Sequence, residues 1–334
     1  MIQPPRAPWL RTIAHSLVAL PLGLAAATAS AESPYPKHPI TIIVPFQAGG
    51  GADLAARLMA AHMSKYLGGQ SLVVENRPGA SGNIGAGQVA RAAADGYTLL
   101  ITNNTMSINA SLGLIKNYDI RASFQPISLM VSSPVAIGVT SSLPITSISE
   151  LVADARKKNG KLDYSTCGNG TPQHFTGAAF GEIAKLDMVQ IPYSGCAPAV
   201  TAGLGGQVPV LFSTVANLAS YTGANGKLRM LGVVSKKRLS FMPDVPTVAE
   251  TPEFKDLDIS VWFGLFAPKG LPPEVLKQLE TAALSALAEP ALKKEFSDRY
   301  YEVNALGANE MAAQLDKDLS MYSALAKSAN IKLE

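Results

Sequence analysis

The sequence has few of the residues on which catalytic, metal and nucleotide sites depend. Its 334 residues include two cysteines and four histidines, and aromatic residues make up 7%. The histidines His15, His38, His62 and His174 lack the spacing of metal ligands. The motifs G-x-x-x-x-G-K-[ST] and G-x-S-x-G are both absent. We therefore expect no metal, no cofactor and no phosphoryl- or acyl-transfer chemistry.

One segment, residues 85–90, fits the letters of the dinucleotide motif G-x-G-x-x-A. A dinucleotide site needs those glycines directly after a strand. The preceding strand is predicted to end near Val74, and residues 75–82 intervene. A nucleotide site is therefore not expected.

No apolar run is long enough to cross a bilayer. The run from residue 13 to residue 27 is about 15 residues long, whereas a span needs about 20. Arg6 and Arg11 precede it and Ala-Ser-Ala follows at residues 29–31, which is the pattern of a secretory signal peptide. We predict cleavage after Ala31 and export of the mature chain; the alternative is a retained membrane anchor.

Charge is scarce and nearly balanced. Charged residues make up 16%, and the formal net charge of +3 includes Arg6 and Arg11 of the predicted signal peptide. Nucleic-acid binding needs a clustered positive surface. The short basic run at residues 236–238 is more simply a solvated surface, so we expect no nucleic-acid partner.

Cys167 and Cys196 are the only cysteines. In an exported protein an isolated pair indicates a disulfide, and a loop of roughly 30 residues would add about 3–3.5 kcal/mol in the chain-entropy model. The alternative is a nucleophilic pair of Cys167 and His174, because a cysteine nucleophile needs a neighbouring base. The competing disulfide argues against that pair.

What the sequence does contain is two strand–glycine–helix connections. The first follows a predicted strand at residues 40–44 and leads into a helix that opens at Asp53. The second follows residues 162–165, with Thr171 as the N-cap and Pro172 at the first helical position. Backbone N–H groups at helix N-termini bind anions. We expect a protein that holds a small anion without transforming it.

The role of Asp53 has two interpretations, because a carboxylate beside an anion site would repel the anion. Its carboxylate is expected to cap its own helix by accepting backbone N–H groups. The functional alternative is that it pairs with an ammonium group on the ligand.

Short apolar runs alternate with helical patterns, which predicts an α/β fold with parallel, doubly wound sheets and ligand loops at the strand C-termini. The roughly 300 residues that remain after the predicted signal peptide suggest two lobes. Two chain crossings, near residues 127–140 and 257–267, would make a hinge. Predicted strands are residues 40–44, 71–74, 98–102, 135–139, 162–165, 188–191, 208–212, 230–234 and 262–267. Predicted helices open at Asp53 or cover residues 148–158, 172–184, 197–204, 272–288 and 309–329, the last two returning to the first lobe.

Several short motifs are spread over the whole chain after the leader. They are VPFQAGGGAD (44–53), VENRPGASGNIG (74–85), ADGYTLL (94–100), GTPQH (170–174), IPYSG with APA (191–199) and PDVPT (243–247). Together they resemble the Bug (TctC-type) extracytoplasmic solute receptors, the binding subunits of tripartite tricarboxylate transporters. The resemblance implies a periplasmic binding protein type II-like fold, with two doubly wound lobes joined by a two-strand hinge. It divides the chain into a signal peptide (1–31), lobe 1 (32–137 plus 259–334) and lobe 2 (138–258).

The resemblance also implies a ligand and a site. The ligand would be a small carboxylate: a di- or tricarboxylate, an acidic amino acid or an aromatic acid. We include Asp53 in the site because it could pair with an ammonium group on the ligand. The predicted ligand-binding residues are then Phe46, Gln47, Ala48, Gly49, Gly50, Asp53, Ser81, Asn83, Asn103, Asn104, Thr166, Gly170, Thr171, His174, Tyr193 and Thr214.

These expectations describe a periplasmic receptor, not an enzyme, which closes on a carboxylate and delivers it to the membrane subunits of a tripartite transporter. A ligand sensor that docks on a signalling protein is an alternative. A secreted enzyme on the same fold is a second, disfavoured because the predicted cleft lacks a His–acid pair or paired carboxylates. The expected oligomeric state is a monomer.

Overall fold

The computed structural model describes residues 35–223, 225–329 and 331. The predicted signal peptide lies outside these residues and stays a prediction. Among the helices of the described part, none is long and apolar enough to cross a membrane.

The strands of the described part match most of the predicted ones. The predicted run at residues 40–44 is confirmed without change, while the predicted strand at 135–139 is only the second half of a much longer one. In chain order the strands are β1 (Ile40–Val44), β2 (Leu72–Asn76), β3 (Thr98–Asn103), β4 (Phe124–Thr140), β5 (Lys161–Thr166), β6 (Asp187–Pro192), β7 (Val210–Thr214), β8 (Leu228–Val233), β9 (Ser260–Pro268) and β10 (Glu302–Leu306).

Helices lie between most of the successive strands, as the sequence predicts. The first helix begins at Gly51, two residues before the predicted opening at Asp53. The α-helices are α1 (Gly51–Met63), α2 (Asn83–Ala90), α3 (Thr105–Ser111), α4 (Ile148–Lys157), α5 (Pro172–Ala184), α6 (Cys196–Leu204), α7 (Val215–Leu218), α8 (Pro273–Ala288), α9 (Pro290–Ser297) and α10 (Ala308–Ser328). Residues 85–90 of the dinucleotide-like pattern lie inside α2, not in a strand-to-helix turn.

The sheets are mixed, so the prediction of wholly parallel sheets is wrong in part. β1 pairs in parallel with β2 and β3, and β5 pairs in parallel with β6 and β7. β9 is antiparallel to β3, and β4 is antiparallel to β7, β8, β9 and β10. The antiparallel pairs all involve β4 or β9, the two strands in the regions where the sequence predicts that the chain crosses between lobes.

The 17-residue strand β4 joins the two lobes. Its first part, from Phe124 to Pro134, pairs with β9, and its second part, from Val135 to Val139, pairs with β7. The chain that returns to lobe 1 lies beside the middle of β4, where the Val135 N–H donates to the Ile259 carbonyl over 3.3 Å. Both crossings therefore lie side by side, as a two-strand hinge requires. The exact lobe boundaries stay a prediction.

The C-terminal helix α10 contacts both lobes, although the sequence predicts a return to the first lobe alone. Tyr322 of α10, Ile108 of α3 and Phe175 of α5 form one fully buried cluster. The rings of Phe175 and Tyr322 are 5.2 Å apart, edge to face. α10 thus connects a lobe 1 helix to the helix that follows the second glycine loop.

Candidate functional site

The first glycine loop presents unbonded backbone N–H groups at the start of α1. Gly49 has φ +81°, a left-handed conformation that glycine adopts without strain. Gly50 is the N-cap, and no side chain caps the helix there. The first intrahelical hydrogen bond runs from the Leu54 N–H to the Gly50 carbonyl over 3.0 Å. The N–H groups of residues 50–52 have no partner among the described residues, which makes this helix end suitable for an anion.

The buried side chain of Asp53 links this loop to α1. Its Oδ2 accepts the Gly49 N–H over 2.9 Å and the Arg57 Nε–H over 3.1 Å. Burial would raise the pKa of the Asp53 carboxyl, but the hydrogen bonds from Arg57 and Gly49 outweigh it and hold the pKa below its ordinary value. The carboxylate thus ties the loop to α1, but the prediction that it caps the helix is wrong, because Gly50 is the N-cap and no side chain caps this end. A contact between Asp53 and a ligand stays a prediction.

In the second glycine loop, three backbone N–H groups are bonded to side chains of the loop itself. The Thr166 hydroxyl accepts the Gly168 N–H, and His174 Nδ1 accepts the Gly170 N–H, both over 3.3 Å. The Thr171 hydroxyl accepts the His174 N–H as the predicted N-cap, and it donates to the Gly168 carbonyl over 2.8 Å. Because side chains already satisfy these groups, this loop offers a ligand fewer free donors than the first.

His174 is neutral near pH 7. Burial lowers the pKa of its imidazole to about 4. It lines a cavity of about 780 Å³ between α5, β6 and the end of α10, together with Tyr164 and Glu182. No residue of the first loop lines that cavity, so the structure does not bring His174 and the first loop to one cavity.

Cys167 and Cys196 form the predicted disulfide. It joins the loop after β5 to the start of α6, and it leaves no thiol for a nucleophilic pair with His174. The Tyr193 N–H donates to the Thr166 carbonyl over 3.2 Å, which keeps the loops after β5 and β6 adjacent. The disulfide and this hydrogen bond together hold the loops after β5 and β6 next to each other.

The first loop borders a cavity of about 310 Å³ that both lobes line. On the lobe 1 side are the backbone of Gly49, Gly50 and Gly51 and the segment that precedes β10; on the other are residues of α7. In α7 the Asn217 Nδ2 donates to the Thr214 hydroxyl over 2.8 Å. The predicted ligand residue Thr214 therefore lies one contact away from the cavity. This arrangement can hold a small anion between lobes.

The predicted residues on neighbouring loops are engaged with protein groups. Asn109 Nδ2 donates to the Ser81 carbonyl over 2.9 Å and to Asn83 Oδ1 over 3.1 Å. Asn103 Oδ1 accepts the Thr105 N–H over 3.0 Å. These contacts order the loops around α2 and α3, and a ligand contact at these residues stays a prediction.

Asn104 is directed into a separate cavity of about 200 Å³ under α10. Its Nδ2 donates to the Ser260 carbonyl and to the Tyr322 hydroxyl, each over 2.8 Å. In the same cavity Asp318 accepts the Trp262 Nε1–H over 2.7 Å. Burial raises the pKa of the Asp318 carboxyl to about 6, against the opposing effect of the hydrogen bond from Trp262. The structure does not bring Asn104 and the first glycine loop to one cavity.

Of the residues that line the interlobe cavity, the sequence predicted only Gly49 and Gly50; Asn217, Arg299 and Tyr301 are among those it missed. Arg299 and Tyr301 are about 250 positions from the first loop and precede β10, a strand that the sequence pattern did not predict. No motif marks them. Among the described residues no group of three or more His, Cys, Asp or Glu could hold a metal ion.

Comparison with known proteins identifies a family of transport receptors to which this sequence is similar. The family model of the tripartite tricarboxylate transporter family receptor matches residues 55–331. Protein BugT of Bordetella pertussis is 33% identical over 285 residues, covering 83% of this chain and 86% of BugT.

Solved structures show the same fold. The periplasmic binding protein BugD is 32% identical, with a TM-score of 0.78 over 90% of this chain and all of that chain. Rpa4515 of R. palustris with adipate is 29% identical, with a TM-score of 0.81 over 90% and 99% of the two chains. MatC of Rhodopseudomonas palustris with bound malate is 27% identical, with a TM-score of 0.75 over 87% and 99%. This chain belongs to the tripartite tricarboxylate transporter receptor family and has the two-lobed fold of its periplasmic binding proteins.

Proposed function

We propose that this protein is a periplasmic receptor that captures a small carboxylate between its lobes and delivers it to the membrane subunits of a tripartite transporter. The observation that carries the proposal is the interlobe cavity bordered by the unbonded N–H groups at the start of α1. Helix N-termini favour negative charge through their free donors and their dipole. Related proteins whose structures contain adipate and malate support a carboxylate as the ligand.

The ligand would act by shifting a conformational equilibrium. β4 and β9 provide two adjacent crossings about which the lobes can close. A ligand can favour the closed form only if it binds that form more tightly than the open one. A ligand that contacts α1 on one side and α7 on the other meets this condition, because only closure brings both sets of contacts to it. The closed form would then dock on the transporter.

Export through a cleavable signal peptide, at residues 1–31, belongs to the same proposal. Two observations support it: the related protein BugD is a periplasmic binding protein, and residues 29–31 have the A-x-A sequence of a cleavage site. N-terminal sequencing of protein recovered from the periplasm should begin at Glu32. A mature chain that still carries residues 1–31 would contradict this step.

A thermal-shift screen of protein unfolded and refolded to remove co-purified ligand tests the function. The panel holds mono-, di- and tricarboxylates, acidic amino acids and aromatic acids, with the corresponding amides and neutral sugars as controls. A ligand at about 100 times its Kd adds roughly 2.7 kcal/mol and raises the Tm by a few degrees. Carboxylates should raise the Tm, and their amides should not. A response to sugars with none to carboxylates would overturn the proposal.

A further inference from the structure

The cavity of about 200 Å³ under α10 contains buried polar groups that the proposed function does not use. We refer to it as the α10 cavity. It lies beside the two hinge strands, because Ser132 of β4 and Trp262 of β9, which pair with each other, both line it. Its volume is sufficient for a small ion with part of its hydration shell.

Two amide oxygens in the lining of the α10 cavity have no hydrogen-bond partner. Asn104 is 1% exposed, and its Nδ2 donates to the Ser260 carbonyl, which can only accept a hydrogen bond. That contact fixes the orientation of the amide, and it leaves Asn104 Oδ1 buried without a partner in the described part of the chain. Asn304 Oδ1 on β10 is buried and without a partner in the same way. An unpaired buried acceptor is costly, so both oxygens need a hydrogen-bond donor or a cation.

The same cavity contains a buried carboxylate without a counter-ion. Asp318 is 2% exposed and accepts from two uncharged donors, the Trp262 Nε1–H over 2.7 Å and the Gln314 Nε2–H over 2.6 Å. Lys317 also lines the cavity, but its side chain is exposed and forms no ion pair with Asp318. A buried charge costs free energy unless an opposite charge compensates it.

The charge of the lining matches one monovalent cation. Three charged residues line the α10 cavity: Asp258, Lys317 and Asp318. Asp258 and Lys317 are exposed and opposite in sign, so the buried carboxylate leaves the lining with a net charge of −1. A divalent ion would leave an uncompensated positive charge in a buried place.

We propose that the α10 cavity is a binding site for one monovalent cation (sodium, potassium or ammonium) held by Asp318, Asn104 and Asn304. Carboxylate and amide oxygens are the ligands that hard metal cations take, and an ammonium ion donates hydrogen bonds to the same atoms. The site lies outside the interlobe cavity, so the inference goes beyond the proposed function and does not depend on it.

A thermal-shift titration in chloride salts tests the site. The receptor is dialysed into choline chloride, and choline is replaced by sodium, potassium or ammonium at constant total chloride, with no carboxylate present. At least one of the three cations should raise the Tm saturably by a few degrees relative to choline. Wild-type protein with the same Tm in all four salts would show that water satisfies the two amide oxygens, and this result overturns the site.

Two variants locate the effect. Asp318→Asn keeps the shape of the side chain and an acceptor for Trp262 but removes the charge, so it should abolish the cation-specific shift. Asn304→Ala removes one of the unpartnered oxygens and should raise the half-saturating cation concentration about tenfold. A wild-type shift in Asp318→Asn overturns the site, because the cation would then bind elsewhere. If Asp318→Asn fails to fold, Asn304→Ala decides alone, and an unchanged half-saturating concentration overturns the site.

Asp316→Asn is the matched control, since it makes the same change on the same helix. Asp316 is exposed, pairs with Arg121 over 2.7 Å and does not line the α10 cavity. The control should keep the wild-type shift; loss of the shift here too would assign it to the surface charge of α10 and overturn the site. Because the assay contains no carboxylate, none of these outcomes changes the test of the receptor function.

Lys317→Met tests whether the protein supplies its own counter-ion. If a cation is bound, removal of the like charge of Lys317 should leave the cation response unchanged or strengthen it. A Tm that falls equally in every salt, with no cation-specific shift, would make Lys317 the counter-ion of Asp318 and overturn the site.

Discussion

The two glycine loops share a sequence pattern but differ in how their backbone N–H groups are used. In the second loop, side chains accept the N–H groups of Gly168, Gly170 and His174. In the first loop, a side chain accepts only the N–H of Gly49. The second loop is also tied to α6 by the disulfide, whereas the first is held only by hydrogen bonds and the ion pair of Asp53 with Arg57.

A strand–glycine–helix pattern therefore locates potential N–H donors, but it does not show whether they are free to bind a ligand. Thr166 and Gly170 are buried, while Gln47, Gly49 and Gly50 are exposed. A ligand carboxylate would therefore find more unbonded donors in lobe 1. The cross-linked loop of lobe 2 would provide a rigid surface that meets the ligand on closure.

Removal of the disulfide should have the largest effect on stability. The variant Cys167→Ser with Cys196→Ser should lower the free energy of unfolding by about 3 kcal/mol, because a cross-link over a sequence separation of 29 residues restricts the unfolded chain. Urea unfolding under oxidising conditions measures it. Reduced wild-type protein is the matched reference and should reproduce the loss; equal stability of the oxidised protein and the double variant would show that the second loop is not held by the cross-link.

A charge placed in each loop separates their roles in binding. Gly50→Asp should weaken carboxylate binding about 100-fold, since it puts a negative charge beside the free donors of α1. The fold should persist, because a Cβ at Gly50 meets only the Gln47 carbonyl at 3.5 Å and aspartate is a favourable N-cap. Isothermal titration and circular dichroism measure the two effects.

Two variants complete that comparison. Gly50→Asn provides the same cap without the charge and should bind nearly as well as wild type. Asn169→Asp places a charge in the exposed part of the second loop and should weaken binding less than Gly50→Asp does. If the Asn169 variant lost more affinity than the Gly50 variant, the second loop would be the principal anion site.

Asp53→Asn should loosen the first loop. The change removes the ion pair with Arg57, and we expect a loss of unfolding free energy on the order of 1–2 kcal/mol at pH 7. The pKa of Asp53 is held below its ordinary value in the fold, so this stability is present above pH about 4 and is lost as the pH falls through the lowered pKa. Urea titrations at pH 7 and pH 3 should show the gap between wild type and variant narrowing in acid; a gap that widened would assign the effect to another group.

Loss of the N-cap in the second loop should have the smallest effect. Thr171→Ala should cost about 1 kcal/mol, because the Thr171 hydroxyl accepts the His174 N–H at the start of α5. Thr171→Ser keeps the hydroxyl and should recover most of that stability in the same urea experiment. Equal losses in both variants would point to the methyl group of Thr171 as the stabilising part.

Elements with strong local signals were predictable from the sequence. β1 was predictable because four of its five residues are apolar and β-branched. The same four residues are fully buried in the fold. α5 was predicted with both ends correct, because Thr171 and Pro172 define its start by cap chemistry that needs no tertiary context. The disulfide was predictable because the chain offers only one pairing.

Elements that depend on tertiary packing were missed. α2 contains Gly85 and Gly87, which are poor helix formers, and it is stabilised by packing on β1, β3 and β9. β10 is an edge strand of five residues, four of them half-buried, and it is too short to give a strong strand signal. Because β10 and the segment before it were missed, Arg299 and Tyr301 could not be assigned to the site. Their placement beside α1 is a property of the fold and not of any local motif.

A crystal structure with a bound carboxylate would show which of the two loops holds the ligand. Adipate, or the acid that gives the largest thermal shift, would be the ligand. We expect a ligand carboxylate oxygen within about 3.2 Å of the backbone nitrogen of Gly50 or Gly51, and residues of lobe 2 on the opposite side of the ligand. A carboxylate bound only at the second loop, with the first turn of α1 facing solvent, would contradict it.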